Sequence, residues 1–394
     1  MKIVRLIVIL TAIFWAGYTC AQKAVFDEIK IGIVEEFAPT SAQVITEFGN
    51  YNIWADGKKV GALAPRDRVT FIKRGRLVEV SIPGRVLGNF NAVELVSAEE
   101  VGVFRLYLLK PTKMERVYDD HLLISANGSK ALKFINRVNL EKYIAGVVEA
   151  ESGKEKGTEF YMVQAIISRT YALSNRRRYL KHGYNLNDRV DCQVYFGKSR
   201  WEPDILEAVT ATESLVLVDS DMKLITAAFH SNSGGETVSS AAVWSGALPY
   251  LTPRRDDFSL EGDHYAWTEV LALDDWLSYL ADTFGLDTEN PDIRHRALNY
   301  RQPARELYFL DEAFNIPLKD IRMGRGLNST YFDVTADADS VRIEGRGFGH
   351  GTGLSQEGAM RMAALGFSYT DILHFYYNDV HVIDLRSLDF FLEE

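Results

Sequence analysis

The chain has 394 residues, 47% of them hydrophobic, with 10 prolines and neither repeats nor low-complexity runs, so it can bury ample core as one large or two ordinary domains. Asp and Glu number 54 against 44 Lys and Arg, a formal charge of −10, which argues against a nucleic-acid partner.

At the N-terminus, Lys2 and Arg5 precede an apolar run from Ile7 to Trp15 and small residues around Thr19-Cys20-Ala21. This predicts a secretory signal over residues 1–21, cleaved after Ala21, and hence an exported chain, periplasmic or envelope-associated. Cys20 raises the alternative of lipid attachment, for which Gly17-Tyr18-Thr19 is a poor match. Cleavage removes two cations and no acids, so the mature charge is 42 − 54 = −12. It also leaves Cys192 as the only thiol, so no intrachain disulfide is expected. No second run is long enough to span a membrane.

From Ile31 to about Leu108 short strands rich in Val, Ile and aromatics alternate with turns such as Asp56-Gly57 and Arg74-Gly75, predicting a β-rich N-terminal region over 22–118. A hairpin is expected at Asn127-Gly128, with strands Leu122 to Ala126 and Ala131 to Val138. Asn139 then opens a helix with apolar stripe Leu140, Tyr143, Ile144, Val147 and Val148. The next position on that stripe is Glu151, while Glu149 falls on the opposite, wet face. A carboxylate there is desolvated and faces the negative helix end, and both raise its pKa, which suits a general acid. Gly153 stops the helix.

A second helix from about Thr158 to Leu173 or beyond is apolar on two sides and is expected to be buried on both. Arg169 lies on one of these sides, where a charge needs a partner, and Glu151 is the candidate. Two readings stand here: a structural ion pair between packed helices, or a pair that serves catalysis.

Arg176-Arg177-Arg178 reads as a solvated helix end complementing the dipole, the alternative being a ligand-facing patch. Next come Asp191-Cys192-Gln193-Val194-Tyr195, a helix near Pro203 and a hairpin turning at Ser220-Asp221. Its second strand, Ile225 to Phe229, ends in His230-Ser231-Asn232-Ser233-Gly234-Gly235, a Gly-rich polar loop of the kind that holds sites or merely turns. A strand, a helix from about Asp274 to Phe284 and a charged irregular stretch with Arg294, Arg296, Arg301 and Arg305 follow. Strands at Tyr331 to Thr335 and Val341 to Glu344 run into a loop, 345–353, with five alternate glycines around His350. A helix near Ser355 comes next, then a helical Asp371 to Tyr377 and an extended Val380 to Leu385.

That loop lacks the GxxxxGK[ST] spacing and fails GxGxxG. Gly353-Leu354-Ser355-Gln356-Glu357 has Glu357 where a nucleophile elbow needs glycine. No HExxH occurs, and Cys192 with His182, His230 or His350 has no zinc spacing. No metal and no cofactor are expected.

The stretches NRVNLEKYIAGVVEAE, QAIISRTYA, CQVYFG, FHSNSGGET, VW followed by PYL, and GRGFGHGTGLSQEGA together resemble the stage II sporulation protein D (SpoIID/LytB) family, over about Leu122 to Val382. The resemblance implies an α+β fold, a mixed sheet with a central helix pair beside the β-rich N-terminal region, with the catalytic domain over 119–394. It implies a lytic transglycosylase cleaving peptidoglycan glycan strands free of stem peptides. The alternative is a non-catalytic, wall-binding amidase enhancer of the same fold, with another cell-wall hydrolase as partner. The catalytic glutamate falls on Glu151. Arg169, Tyr171, Tyr195, His230, Ser231, His350, Ser355 and Gln356 are assigned to orienting glutamate and sugar. The chain departs from the pattern at Ser152-Gly153, where the family usually has Met-Pro, and at Met162, where it usually has lysine. A single glutamate suffices for this chemistry because the sugar's own 6-hydroxyl attacks, whereas hydrolytic glycosidases use two carboxylates.

Overall fold

Branched and aromatic residues at every second position make a strand wherever one face can be buried, and the first hundred described residues consist of little else. The computed structural model describes residues 27–387 apart from 129, 201, 202 and 245; the signal segment expected over 1–21 lies outside them. Two sheets result. One has six antiparallel strands in the order Met114–Asp119, Val103–Lys110, Ser41–Phe48, Arg68–Arg74, Leu77–Ile82 and Arg85–Phe90. The other has seven, in the order Leu186–Asn187, Glu28–Ile33, Ala131–Asn139, His121–Asn127, Ala92–Ser97, Tyr51–Ala55 and Lys58–Leu63, and is mixed because its first pair is parallel. Their inward rows, among them Val44, Phe71, Val80, Ile53, Leu95 and Phe134, share one buried core.

The boundary expected between 118 and 119 falls inside this arrangement. Strands from both sides of it pair directly, Glu28–Ile33 with Ala131–Asn139 and Ala92–Ser97 with His121–Asn127. Only Asp120 separates Met114–Asp119 from His121–Asn127.

The helices of the described residues are α1 (Leu140–Ser152), α2 (Thr158–Ser174), α3 (Pro203–Ala211), α4 (Leu273–Phe284), α5 (Pro291–Leu298), α6 (Leu318–Arg325), α7 (Gln356–Ala364) and α8 (Tyr369–Tyr376). The class is α+β, as expected. None of these helices is long and apolar enough to cross a membrane. α1 and α2 start and stop where the caps require: the Asn139 carbonyl oxygen of the side chain accepts from the Glu141 and Lys142 amides, and Gly153 at φ 70° ends α1. α2 is buried on both sides, by Phe160, Val163 and Ile167 and by Ile166 and Leu173, and joins the sandwich core.

The hairpin expected at Ser220-Asp221 shrinks to a single bridge, Val218 with Leu224. Leu215–Val218 finds its ladder on the other edge, pairing with His381–Asp384 near the C-terminus. Phe229–His230 pairs in parallel with Leu354–Ser355.

The region read as charged and irregular is a unit with its own core. Strands Ala266–Ala272, Ser340–Arg346 and Phe332–Ala336 form an antiparallel sheet in that order. Trp276, Leu280, Phe309, Ile321, Phe332 and Ile343 pack together against it, with α4, α5 and α6 contributing. In sequence this unit lies between the His230 and His350 loops. In space it delivers side chains to both.

Candidate active site

The apolar stripe of α1 is fully buried from Tyr143 to Val148, and Glu151, one turn further on, is only half-buried. What covers it is a backbone loop. Gly146, in mid-helix, is the enabling residue: a Cβ there would meet the Gly197 carbonyl oxygen at 2.2 Å and the Tyr195 ring at 2.6 Å. With no Cβ in the way, loop 191–197 lies flat on α1, and the Val194 N–H donates to Glu151 Oε1 at 2.8 Å. Burial pushes the Glu151 carboxyl above its ordinary value and this N–H pulls it back, with burial the stronger effect.

This geometry gives a prediction that runs against helix propensity. Alanine is intrinsically better than glycine in a helix by about 1 kcal/mol, yet Gly146→Ala should destabilise the fold by roughly 1–3 kcal/mol, the usual cost of overpacking. It should also raise the Glu151 pKa further, because the Val194 amide is displaced. Denaturant melts with an NMR titration of the Glu151 carboxyl check both; a variant stabilised by the propensity difference would refute the close packing.

The second half of the site is a pair of loops bound to each other. His230 is opposite Ser355 and Asn232 bridges to Phe348. Such an approach requires glycine: a Cβ on Gly349, at φ 112°, would meet the His230 Cβ at 2.7 Å. The ring centroids of His230 and His350 are 5.5 Å apart, and Trp244 packs on His350 at 5.9 Å. His230 Nδ1 lies 3.1 Å from the Thr352 carbonyl oxygen, which can only accept, so the proton is on Nδ1 and Nε2 is a bare acceptor. That Nε2 is buried without a partner among the described residues. His350 Nδ1 accepts from the Thr352 amide at 3.1 Å, placing its proton on Nε2. Burial lowers both pKa values. His350 falls to about 4, with Arg322 as the next cause, and His230 falls well below 6.5, with His350 and Arg305 adding to burial. Both rings are thereby driven toward the neutral form.

Gln356 joins the two halves. Its Nε2 is 3.4 Å from the Glu151 carbonyl oxygen and 3.3 Å from Gln164 Oε1 on α2. Ser231 stands at the same junction, half-buried, its carbonyl accepting from the Glu357 amide at 3.0 Å. Tyr171 is half-buried where loop 191–197 begins, with its hydroxyl 3.5 Å from the Asp191 carbonyl and accepting from Arg178 Nη1 at 3.3 Å.

Three residues assigned to sugar or glutamate are placed otherwise. Arg169 does not pair with Glu151. It is fully buried against Glu141, with Nε to Oε1 at 2.8 Å and Nη2 to Oε2 at 2.5 Å, and Nη1 donates to the Leu215 carbonyl at 2.9 Å. Glu141 opens α1 and Glu151 ends it, about 15 Å apart along the helix. Tyr195 is a core residue: its ring packs on Tyr143 and Tyr118, and its hydroxyl donates to Asn136 Oδ1 at 2.9 Å. Ser355 is the N-cap of α7, its buried hydroxyl accepting from the Gly358 and Ser233 amides. Glu149 Oε2 accepts from Ser199 Oγ and the Arg200 amide.

Sequence reasoning passed over Val194, Gln164, Trp244, Arg305 and Arg322. Gly146 was the available signal for the loop contact, because a glycine in mid-helix wants a packing reason. Arg305 lies beneath the second loop, touching Gly351, and donates to the Ser233 carbonyl and, at 3.2 Å, to Thr330 Oγ1. Ser152 Oγ, beside Glu151 in sequence, is buried without a partner among the described residues.

The chain is thus an α+β protein in which a helix-end carboxylate, desolvated against a backbone loop, is tied through Gln356 to the element that follows the second histidine loop. Residues 128–218, which hold α1, α2 and loop 191–197, match the family model described as Stage II sporulation protein. The chain is 30% identical over 277 residues to stage II sporulation protein D of Bacillus amyloliquefaciens, a match covering 66% of this chain and 78% of that protein. It is 27% identical over 263 residues to the protein of the same name from Bacillus subtilis (strain 168), covering 63% and 75%. To the amidase enhancer of Bacillus subtilis (strain 168) it is 28% identical over 292 residues, covering 59% and 39%. The chain belongs to the stage II sporulation protein D family.

Proposed function

We propose that this chain is an exported, envelope-associated lytic transglycosylase that cleaves peptidoglycan glycan strands free of stem peptides, with Glu151 as its acid and base. A cell-wall-related role follows from the family and from the relative named amidase enhancer. The observation that carries the finer reading is the placement of Glu151. It is the carboxylate that burial drives toward its protonated form at the junction of α1, loop 191–197 and α7. The rival carboxylates are committed elsewhere. Glu357 accepts from Asn232 Nδ2 and lies 2.6 Å from His264 Nδ1, and Glu236 accepts from the Arg305 amide.

In this reading protonated Glu151 gives its proton to the glycosidic oxygen as the bond from C1 to that oxygen breaks. The resulting carboxylate takes the proton of the same sugar's 6-hydroxyl, whose oxygen closes onto C1. Proton count and charge are restored, and no water is consumed. Attack from within one ring needs no second carboxylate, and proximity supplies part of the barrier reduction.

The product decides. A digest of stem-free glycan should release 1,6-anhydro muramyl ends, lighter by one water than reducing ends, as read by mass spectrometry. Reducing ends would assign hydrolysis, with Glu236 or Glu357 as second carboxylate. Binding without cleavage would favour the amidase-enhancer reading, which the match to the enhancer of Bacillus subtilis supports.

A further inference from the structure

The inserted unit brings two arginines, Arg305 and Arg322, to the histidine loops. Arg322, on α6, is half-buried, and its Nε donates to the Asn328 carbonyl at 3.2 Å. The same carbonyl accepts from the Gly349 amide at 2.9 Å, so the guanidinium is tied to the backbone next to His350. Its two terminal nitrogens have no hydrogen-bond partner, and it has no carboxylate partner, among the described residues. A half-buried guanidinium without a counter-ion is costly, and an anionic ligand would remove the cost. Burial lowers the pKa of Arg322, as it does that of Arg305, which falls to about 10. Trp244, whose ring packs on His350, is 38% exposed and offers a face on which a pyranose can stack.

A muramyl sugar carries a lactyl ether at its 3-oxygen. In a strand with stem peptides the lactyl carbonyl is an amide; in a stem-free strand it is a carboxylate. We propose that Arg322 reads this free carboxylate, and that Trp244 holds the sugar which bears it. This rests on the glycan reading above and deepens it: discrimination between stem-free and stem-bearing strands would come from the inserted unit rather than from the helix that bears Glu151. Arginine suits the task because its two free nitrogens match a carboxylate in a bidentate fork.

The test measures binding calorimetrically on the full chain carrying Glu151→Gln, so that turnover does not intervene. The ligands are stem-free glycan strands, the same strands with the lactyl carboxylates converted to amides, and an uncharged N-acetylglucosamine oligomer of equal length. Free-carboxylate strands should bind on the order of ten- to a hundredfold more tightly than amidated ones, the scale of one charge-assisted hydrogen bond. The advantage should shrink with added salt. Adding Arg322→Gln should erase the difference while leaving affinity for the uncharged oligomer unchanged, and Arg322→Lys should restore part of it. Equal binding of the free and amidated strands overturns the proposal without any variant. Arg322→Gln weakening charged and uncharged ligands alike would show a structural role only and overturn it as well. Failure to bind any of the three removes the glycan reading along with it, whereas binding of the uncharged oligomer without discrimination removes this inference alone.

Discussion

Glu151→Gln should leave the chain folded and reduce glycan cleavage by on the order of 10²–10⁴-fold, the usual contribution of a positioned acid–base group. The substitution preserves volume, and the amide oxygen can still accept from the Val194 N–H, so the contacts on loop 191–197 persist. Stability gives an independent signature. Burial raises the Glu151 pKa in the folded chain, so the folded state binds that proton more tightly than the unfolded state does. Wild-type stability from this group is therefore fully present below the ordinary carboxylate pKa and is lost as pH rises through the folded value. The glutamine does not titrate. Melting temperatures of variant and wild type should differ by a constant amount at low pH, and the variant should gain relative to wild type as pH climbs. Wild-type turnover in the variant would remove Glu151 from the mechanism; a pH-independent stability difference would show that its burial has no energetic weight.

Arg169 produces the largest stability effect. Its side chain is fully buried, and its fork ties α2 to Glu141 at the start of α1 and to the Leu215 carbonyl. Arg169→Ala should cost about 3–5 kcal/mol, because it leaves the partly buried Glu141 carboxylate and the Leu215 carbonyl without their donor and opens a void. Arg169→Leu should cost less, since it refills apolar space and leaves only the polar groups unserved. Removing both charges together, Arg169→Leu with Glu141→Gln, should recover most of the loss. Denaturant unfolding of the four chains checks the ranking. If the alanine and leucine variants unfold at the same midpoint as wild type, the pair is solvated. None of these changes should move the Glu151 titration, since the two ends of α1 are far apart.

Local chemistry made the helix pair legible. Asn139, Gly153, the Asn127-Gly128 turn and the apolar stripe of α1 each act within a few residues, and the structure puts their elements where those signals require. The partner of Arg169 was not legible, because helix spacing says which acid lies on a buried stripe and not which acid packing brings near. Glu141 lies further off in sequence and is the one within reach. Tyr195 sits in a motif that surrounds the site, yet a motif does not say which way a ring points, and this one points inward to Asn136. Val194 acts through its backbone amide, to which its side chain gives no clue. The inserted unit was hidden for a related reason: Trp276, Phe309, Ile321 and Phe332 come from separated short elements, so their common core has no periodicity to read.

The parallel pairing of Phe229–His230 with Leu354–Ser355 is a long-range closure. The Ser233 amide and the Ser355 hydroxyl that accepts from it are 122 residues apart, whereas Asn139 meets the helix it caps within three residues. Closing a loop of that length carries an entropic cost that grows only slowly with its size. Folding of the inserted unit on its own core would nevertheless shorten the effective loop before the ends meet. The cap of α1 is thus a local contact, while the joining of the two histidine loops is a long-range one. A chain arrested before that closure would keep loop 191–197 on Glu151 but lack the Gln356 contact that ties α7 to the end of α1, leaving an acid with no opposite wall against which a sugar could be held.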